Sequence, residues 1–134
     1  MASSRLTEAA TAMLKEPIVA TFVTLYPDGS PHMTPTWIDV DGGDVIVNTT
    51  SVRQKVTNIR RNGTVGVSLI DPANPFRVLS LSGTVADIVE DGADEHIDEL
   101  TMRYMGLETH PFEHPGEVRV MLRIRPERVL VQPS

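Results

Sequence analysis

The chain has 134 residues, a formal net charge of −6, 40% hydrophobic residues and no cysteine. This length suits one domain with its own core and is too short for two ordinary domains. The acidic balance argues against general nucleic-acid binding, and the lack of cysteine excludes disulfides and thiolate metal sites. No apolar run approaches the ~20 residues that span a bilayer, and no signal-peptide core opens the chain. We therefore expect a cytoplasmic protein without membrane partners.

The chain begins with a predicted helix and a hairpin. Apolar residues recur at helical spacing from Leu6 to Lys15, and Glu16-Pro17 ends that helix. Ile18 to Tyr26 alternates as a strand does. The sequence Pro27-Asp28-Gly29-Ser30 is typical of a hairpin turn and leads into a partner strand from Pro31 to Val40.

A third strand and a second helix follow. Pro35 restricts the middle of the partner strand to a sheet edge or a bulge. After the turn Asp41-Gly42-Gly43, residues Asp44 to Thr49 predict the third strand. The next helix is expected to bury a stripe formed by Val52, Val56 and Ile59, and Gly63 suits the left-handed position after its end.

The second half predicts further strands and an acidic helix. The strands are expected at Thr64 to Ile70, Phe76 to Val89, Glu117 to Ile124 and Glu127 to Gln132. Gly83 suggests a bulge in the second of these, and Pro126 separates the last two. A helix is predicted from Asp91 to about Tyr104, with Gly106 at its end. Roughly six strands joined by hairpins indicate a mainly β protein with peripheral helices, in a closed or nearly closed antiparallel barrel.

The strongest functional signal lies where the third strand meets the second helix. That strand ends in a cluster of hydroxyls and an amide, and the helix carries Arg53 and Lys55 in its first turns. Cations there oppose the helix dipole, which favours anions at an N-terminus. A bound anion accounts for them and points to a phosphorylated ligand. Arg60 and Arg61 continue the basic segment, either as a solvated helix face or as further ligand contacts.

Several short motifs also follow one another in a specific order. They are Pro-Asp-Gly-Ser-Pro-His at 27 to 32, Thr36-Trp37, Val47-Asn48-Thr49-Thr50-Ser51 with Arg53 and Lys55, Asn58-Ile59-Arg60-Arg61, Asp71-Pro72-x-Asn74-Pro75-Phe76-Arg77 and Leu81-x-Gly83. Together they resemble the split β-barrel flavin-binding proteins related to pyridoxamine 5′-phosphate oxidase, and more closely their actinobacterial branch that uses the deazaflavin coenzyme F420. The resemblance spans about Pro17 to Val131. It implies one domain over 1–134, with an N-terminal helix at 1–16 and a six-stranded split barrel with inserted helices at 17–131. It also implies a homodimer with cofactor sites at its interface.

The resemblance assigns the phosphate end of the cofactor site. Lys55 matches the family's phosphate-binding lysine, and Arg53 matches a phosphate-contacting arginine of the deazaflavin branch. The strand end that lines the phosphate and the ribityl chain is matched by Asn48, Thr49, Thr50 and Ser51.

The ring and tail of the cofactor are assigned in the same way. Thr36 and Trp37 match the strand beside the ring system. Phe76 and Arg77 match a segment that approaches the cofactor, and the partner subunit is a possible source of it. Arg60 is placed loosely near the acidic polyglutamate tail.

The function implied is that of an F420H2-dependent reductase. Such an enzyme transfers a hydride from the deazaflavin to an activated double bond of a small planar substrate, such as an enone or an unsaturated lactone. The chain lacks the basic C-terminal segment of the pyridoxamine phosphate oxidases and has Gln54 before Lys55, where those oxidases often carry arginine. Two alternatives stay open: an FMN-dependent oxidase or reductase, and a non-catalytic module that binds a flavin, a deazaflavin or haem.

No catalytic acid and no metal site are assigned. His110 and His114 have a spacing seen in some metal sites, but they fall in a proline-broken loop without a ligand cluster. His32 follows the hairpin turn and is expected to face solvent or the dimer partner.

Overall fold

The fold is a single antiparallel sheet with three helices around it. The computed structural model describes residues 5–112 and 115–133, and within them it contains seven strands and three helices. In chain order these are α1 Glu8–Lys15, β1 Ala20–Leu25, β2 Pro31–Thr36, β3 Asp39–Asp41, β4 Asp44–Thr50, α2 Gln54–Arg61, β5 Thr64–Asp71, β6 Asn74–Val89, α3 Ala93–Met105 and β7 Arg119–Gln132. The mainly β class is confirmed. The described residues form seven strands where roughly six were expected. The predicted strand from Pro31 to Val40 is divided into β2 and β3, whereas the last two predicted strands form the single strand β7.

The two edge strands of the sheet are neighbours in the sequence, so the sheet has to curl. Its strand order is β2-β1-β5-β6-β7-β4-β3, so β2 and β3 are the outermost strands. Only Trp37 and Ile38 separate these two edges in sequence. The sheet must therefore bend round on itself, which gives the barrel its shape. Pro35 lies on the edge strand β2, where a missing N–H is tolerated.

One long strand replaces the two predicted at the end of the chain. Pro126 does not break β7, because the register slips there: Ser82 pairs with Arg128 and Gly83 pairs with Pro126. Glu127 is thus an extra residue in the ladder, and a bulge is a position that accommodates proline. The expectation of an irregularity at Gly83 is confirmed.

The helices begin and end close to their predicted limits, with two corrections at α2. Thr7 caps α1 through a hydrogen bond from the Ala10 N–H to its Oγ1, at 3.1 Å. Val52 is 63% exposed, because α2 begins only at Gln54 and the helical phase does not extend back to it. Gly63 does not adopt the left-handed conformation, since α2 ends in the extended residue Asn62, with φ −145°.

The core lies inside the curled sheet and under α1 and α2. Its largest fully buried side chains include Phe22, Met13, Leu14, Leu79 and Leu122. Burial of this apolar area favours closure of the barrel. Side chains of β4 and α2 belong to the same core, which holds these two elements in place. Within the described residues, no helix is long and apolar enough to cross a membrane.

Candidate functional site

A cleft of about 820 Å³ opens where β2, the end of β4, the start of α2 and the segment after α3 come together. It brings together many of the residues that the sequence singled out, namely Thr36, Trp37, Asn48, Thr49, Thr50, Arg53 and Lys55. Although the chain is acidic overall, no aspartate or glutamate is among the described residues that line the cleft. The cleft is therefore a locally cationic site.

Lys55 lies at the first turn of α2 in surroundings that disfavour its charge. Burial lowers the pKa of its ammonium group, and the nearby guanidinium of Arg53 lowers that pKa further. Its Nζ is 5.7 Å from the centre of the Phe22 ring, within range of a cation–π contact. Among the ion pairs of the described residues, none involves Lys55 or Arg53. Two uncompensated cations thus face the same cleft.

The backbone at the start of α2 adds unpaired donors. Arg53 is the N-cap residue, its side chain makes no capping bond, and no acid lies in the first turn. Val56 and Thr57 both donate to the Arg53 carbonyl oxygen, at 3.0 and 3.3 Å. No hydrogen bond of the described residues takes up the N–H groups of Gln54 and Lys55, as expected for a free helix start. These donors and both cations can hold one anion together.

Polar atoms without partners also lie in the wall of the cleft. Thr34 Oγ1, Thr50 Oγ1 and His32 Nδ1 are buried and have no hydrogen-bond partner within the described part of the chain. Buried polar atoms are seldom left unpaired in proteins. His32, which was expected to face solvent or the dimer partner, has a half-buried side chain that lines the cleft. The residues present therefore fit a bound molecule with polar groups along its length.

Part of the cleft wall is aromatic and held in place. Trp37 stacks on Tyr104 with ring centroids 4.9 Å apart and an interplanar angle of 11°, and His110 meets its edge at 5.9 Å. Tyr104 donates to the Ile18 carbonyl oxygen at 2.7 Å and accepts from the Ile38 N–H at 3.1 Å. Burial raises the pKa of its hydroxyl, which therefore stays protonated at neutral pH. The Trp37 ring is thus a fixed flat surface beside the cleft.

A chain of polar side chains adjoins the cleft, and of its members only Asn48 was predicted from the sequence. Asn48 accepts from Arg119 at 2.9 Å and lies 3.0 Å from His96 Nδ1. His96 Nε2 is 2.9 Å from Asp39 Oδ2, and Arg103 donates to Asp39 Oδ1 at 2.9 Å. His96 stands three residues after Ala93 and four before Leu100, which is the spacing of a buried helix face and would have revealed it.

The remaining predicted residues lie outside the cleft of this chain. Ser51 is half-buried and donates its N–H to the Val118 carbonyl oxygen at 2.7 Å. Arg60 is exposed in the last turn of α2, and Phe76 is 82% exposed.

Arg77 is engaged by acids instead. It pairs with Asp71 at 2.9 Å and with Glu16 at 2.5 Å, which ties the end of α1 to the β5–β6 turn. His114, considered above for a metal site, lies outside the described residues.

Comparison with known proteins identifies the family to which this fold belongs. The family model described as pyridoxamine 5′-phosphate oxidase matches residues 6–132. The chain belongs to this family. The antiparallel split barrel predicted from the sequence is therefore confirmed.

Individual members of the family are also similar to this chain. It is 34% identical over 130 residues to a protein named F420H(2)-dependent biliverdin reductase from Mycobacterium tuberculosis, covering 96% of this chain and 89% of the relative. A solved structure named F420 reductase is 34% identical, with a TM-score of 0.78, and the match covers 89% of this chain and 94% of that one. General stress protein 26 from Bacillus anthracis, at 20% identity and a TM-score of 0.69 over 92% of this chain and 91% of that one, shares the fold.

Proposed function

We propose that the protein is an F420H2-dependent reductase that holds the reduced deazaflavin in the cleft and directs its hydride to a conjugated acceptor. The observation that carries this proposal is the pair Arg53 and Lys55, which face the cleft at the start of α2 without an acid partner. The similarity to two proteins whose names include F420 supports the same cofactor.

The phosphate of the cofactor belongs at the start of α2. There it would accept from the N–H groups of Gln54 and Lys55 and from both cationic side chains. Thr49 and Thr50 would face the sugar-like chain, with Thr50 Oγ1 gaining the partner that it lacks. Asn48 is held by its own hydrogen bonds and keeps this wall rigid.

The ring of the cofactor belongs beside Thr36 and Trp37. A bound reduced deazaflavin supplies a hydride, and the protein supplies binding, orientation and electrostatics. Trp37 is fixed by Tyr104 and gives the flat apolar surface against which two planar molecules can be aligned. Alignment and exclusion of water are the main contributions to rate in such a site. The proton that completes the reduction comes from solvent or from a group at the cleft.

The acceptor that we propose is a planar molecule with a conjugated double bond. An enone or an unsaturated lactone has this character, and so does biliverdin, which one relative's name includes. The aromatic wall of Trp37 and His110 suits a flat, unsaturated ligand.

A homodimer would complete the site. Phe76 is 82% exposed, and neither it nor Arg77 lines the cleft of its own chain. In a dimer the segment that carries them would approach the cleft of the partner, and Arg60 would lie where the acidic cofactor tail leaves the site.

Turnover decides between the candidate functions. Reduced F420 is mixed anaerobically with the protein and with biliverdin, a cyclic enone or an unsaturated lactone, and the absorbance of the oxidised deazaflavin is followed. We expect oxidation that requires both protein and acceptor. Turnover with reduced FMN alone would identify an FMN enzyme instead, whereas F420 binding without turnover of any acceptor would identify a binding module.

A further inference from the structure

Arg119 is a third cation in the cleft, and no motif pointed to it. It is the first residue of β7, pairs in register with Thr50, and lines the same cleft as Arg53 and Lys55. Burial lowers the pKa of its guanidinium; among the charges around it, Arg53 lowers that pKa while Asp94, Glu117 and Asp98 raise it. No carboxylate of the described residues forms an ion pair with it.

The polar chain behind Arg119 holds it in one orientation. The Asn48 amide donates to the Ala93 carbonyl oxygen at 2.9 Å and to His96 Nδ1 at 3.0 Å, which leaves its Oδ1 to accept from Arg119 Nη1 at 2.9 Å. Because His96 Nδ1 accepts, its proton is on Nε2 and is donated to Asp39. A flipped Asn48 amide would lose these partners, so the guanidinium is anchored through one of its five N–H groups.

The remaining N–H groups of Arg119 have no described partner. A guanidinium is always charged, and a partly buried one without an anion costs free energy. One phosphate group at the start of α2 would face three cationic side chains at the cleft, those of Arg53, Lys55 and Arg119. Asp94, Glu117 and Asp98 offset the charge of Arg119 in part from a distance, without an ion pair to it. An anionic group that bonded its free N–H groups would offset that charge further.

We propose that Arg119 binds a carboxylate of the ligand through its free N–H groups. The source of that carboxylate is either the substrate or the acidic tail of the cofactor, and the assignment of these two ligands rests on the proposed function above. Arginine suits the role because its planar fork matches a carboxylate in two parallel hydrogen bonds.

The test compares Arg119→Gln with Arg128→Gln, which removes the same charge from an exposed position on the same strand. Trp37, the single tryptophan of the chain, lies in the cleft and reports binding through quenching of its fluorescence. The cofactor arm measures Kd for F420 and for the same deazaflavin phosphate without its carboxylate-bearing tail. The substrate arm measures KM for a conjugated acceptor that bears a carboxylate and for its methyl ester.

We expect Arg119→Gln to weaken one carboxylate-bearing probe by about 10- to 100-fold while changing its carboxylate-free counterpart by less than about threefold. A loss in the cofactor arm identifies the tail as the source, and a loss in the substrate arm identifies the substrate. Arg119→Lys keeps the charge without the fork, so it should show a smaller loss confined to the same probe. The proposal is overturned if Arg119→Gln matches Arg128→Gln in both arms, or if probes with and without a carboxylate weaken equally.

A failure of the proposed function can be told apart from a failure of the Arg119 proposal. If the unaltered protein binds no F420, that function fails whatever Arg119 does. Quenching of Trp37 by the carboxylated acceptor and by its ester, without any cofactor, then tests Arg119 alone. Equal affinity for these two acceptors would overturn the Arg119 proposal under those conditions.

Discussion

At the scale of single residues, the cleft contains side chains whose charge or hydrogen-bonding group is disfavoured by its surroundings. Lys55 is desolvated and placed beside a second cation, and Thr50 has a buried hydroxyl without a partner. Neither arrangement stabilises the isolated fold. Both become favourable once a phosphate and a polar chain occupy the cleft, as expected for residues that serve binding at some cost in stability.

Replacing Lys55 with alanine should weaken F420 binding by about 1.5–3 kcal/mol, the range of a hydrogen bond to a charged group. A deazaflavin without the phosphate should bind the unaltered protein and Lys55→Ala equally well, because it has no group for Lys55 to contact. The chain has one other lysine, Lys15, which is exposed on α1, so Lys15→Ala is the matched control. Equal F420 affinity in both variants would place the phosphate elsewhere.

Asp39 should give the protein a pH-dependent stability. Burial tends to raise the pKa of its carboxyl, but hydrogen bonds from His96, Val40 and Arg103 outweigh burial and lower that pKa from 3.8 to about 2. A depressed pKa means that the folded state favours the ionised form. The resulting stabilisation, roughly 2 kcal/mol, is complete above about pH 4 and is lost as the pH falls from 4 towards 2.

Urea unfolding of Asp39→Asn measures this contribution. The variant should be less stable than the unaltered protein by roughly 2 kcal/mol at pH 7, with the gap closing towards pH 2. A gap that stays constant over this range would mean that the Asp39 charge is not its source.

At the scale of elements, the sequence predicted those features that depend on local pattern. The hairpin turn at Asp28 and Gly29, the helix that follows β4 and the irregularity at Gly83 all follow from residue types at short spacing. Pro126 fits within β7 because the pairing register with β6 shifts there, and β6 lies about forty residues earlier in the chain. No local signal in β7 contains that information, so a break was predicted where the structure has a bulge.

The site residues likewise fall into those that local pattern predicts and those that only the packed structure brings together. Arg53 and Lys55 were found because they contradict a local rule, the preference for anions at a helix start. His96 and Arg119 satisfy the local patterns of a helix and a strand. Helical spacing could have shown that His96 is buried, but the hydrogen bonds of His96 and Arg119 to Asn48 depend on how α3, β4 and β7 pack together.

Gly83 should tolerate no side chain. A Cβ built there would overlap the carbonyl oxygen of Arg125 on β7, which is backbone and cannot move aside without disturbing the ladder. Gly83→Ala should therefore destabilise the fold by about 1–3 kcal/mol in urea unfolding. Gly66→Ala on the neighbouring strand β5 is the control, because its Cβ would meet Val23 at an ordinary 3.6 Å. Similar losses from both changes would show that the cost is not specific to the close approach.

At the scale of the whole molecule, the proposed homodimer would explain the position of Phe76. Phe76 is 82% exposed and does not line the cleft of its own chain, whereas the resemblance implies that its segment approaches a cofactor. Light scattering should give a mass twice the 14.7 kDa of the chain. Phe76→Asp should shift this mass towards the monomer and weaken F420 binding together, without loss of secondary structure by circular dichroism. A monomer that binds F420 fully would contradict a shared site.

The central claim is that the cleft holds a deazaflavin. Its most direct test is a titration of the purified protein with F420 and, separately, with FMN, each followed by quenching of the Trp37 fluorescence. The account predicts saturable binding of F420, at least about tenfold tighter than that of FMN, a difference of 1.4 kcal/mol or more. Tight binding of FMN with no binding of F420 would contradict it.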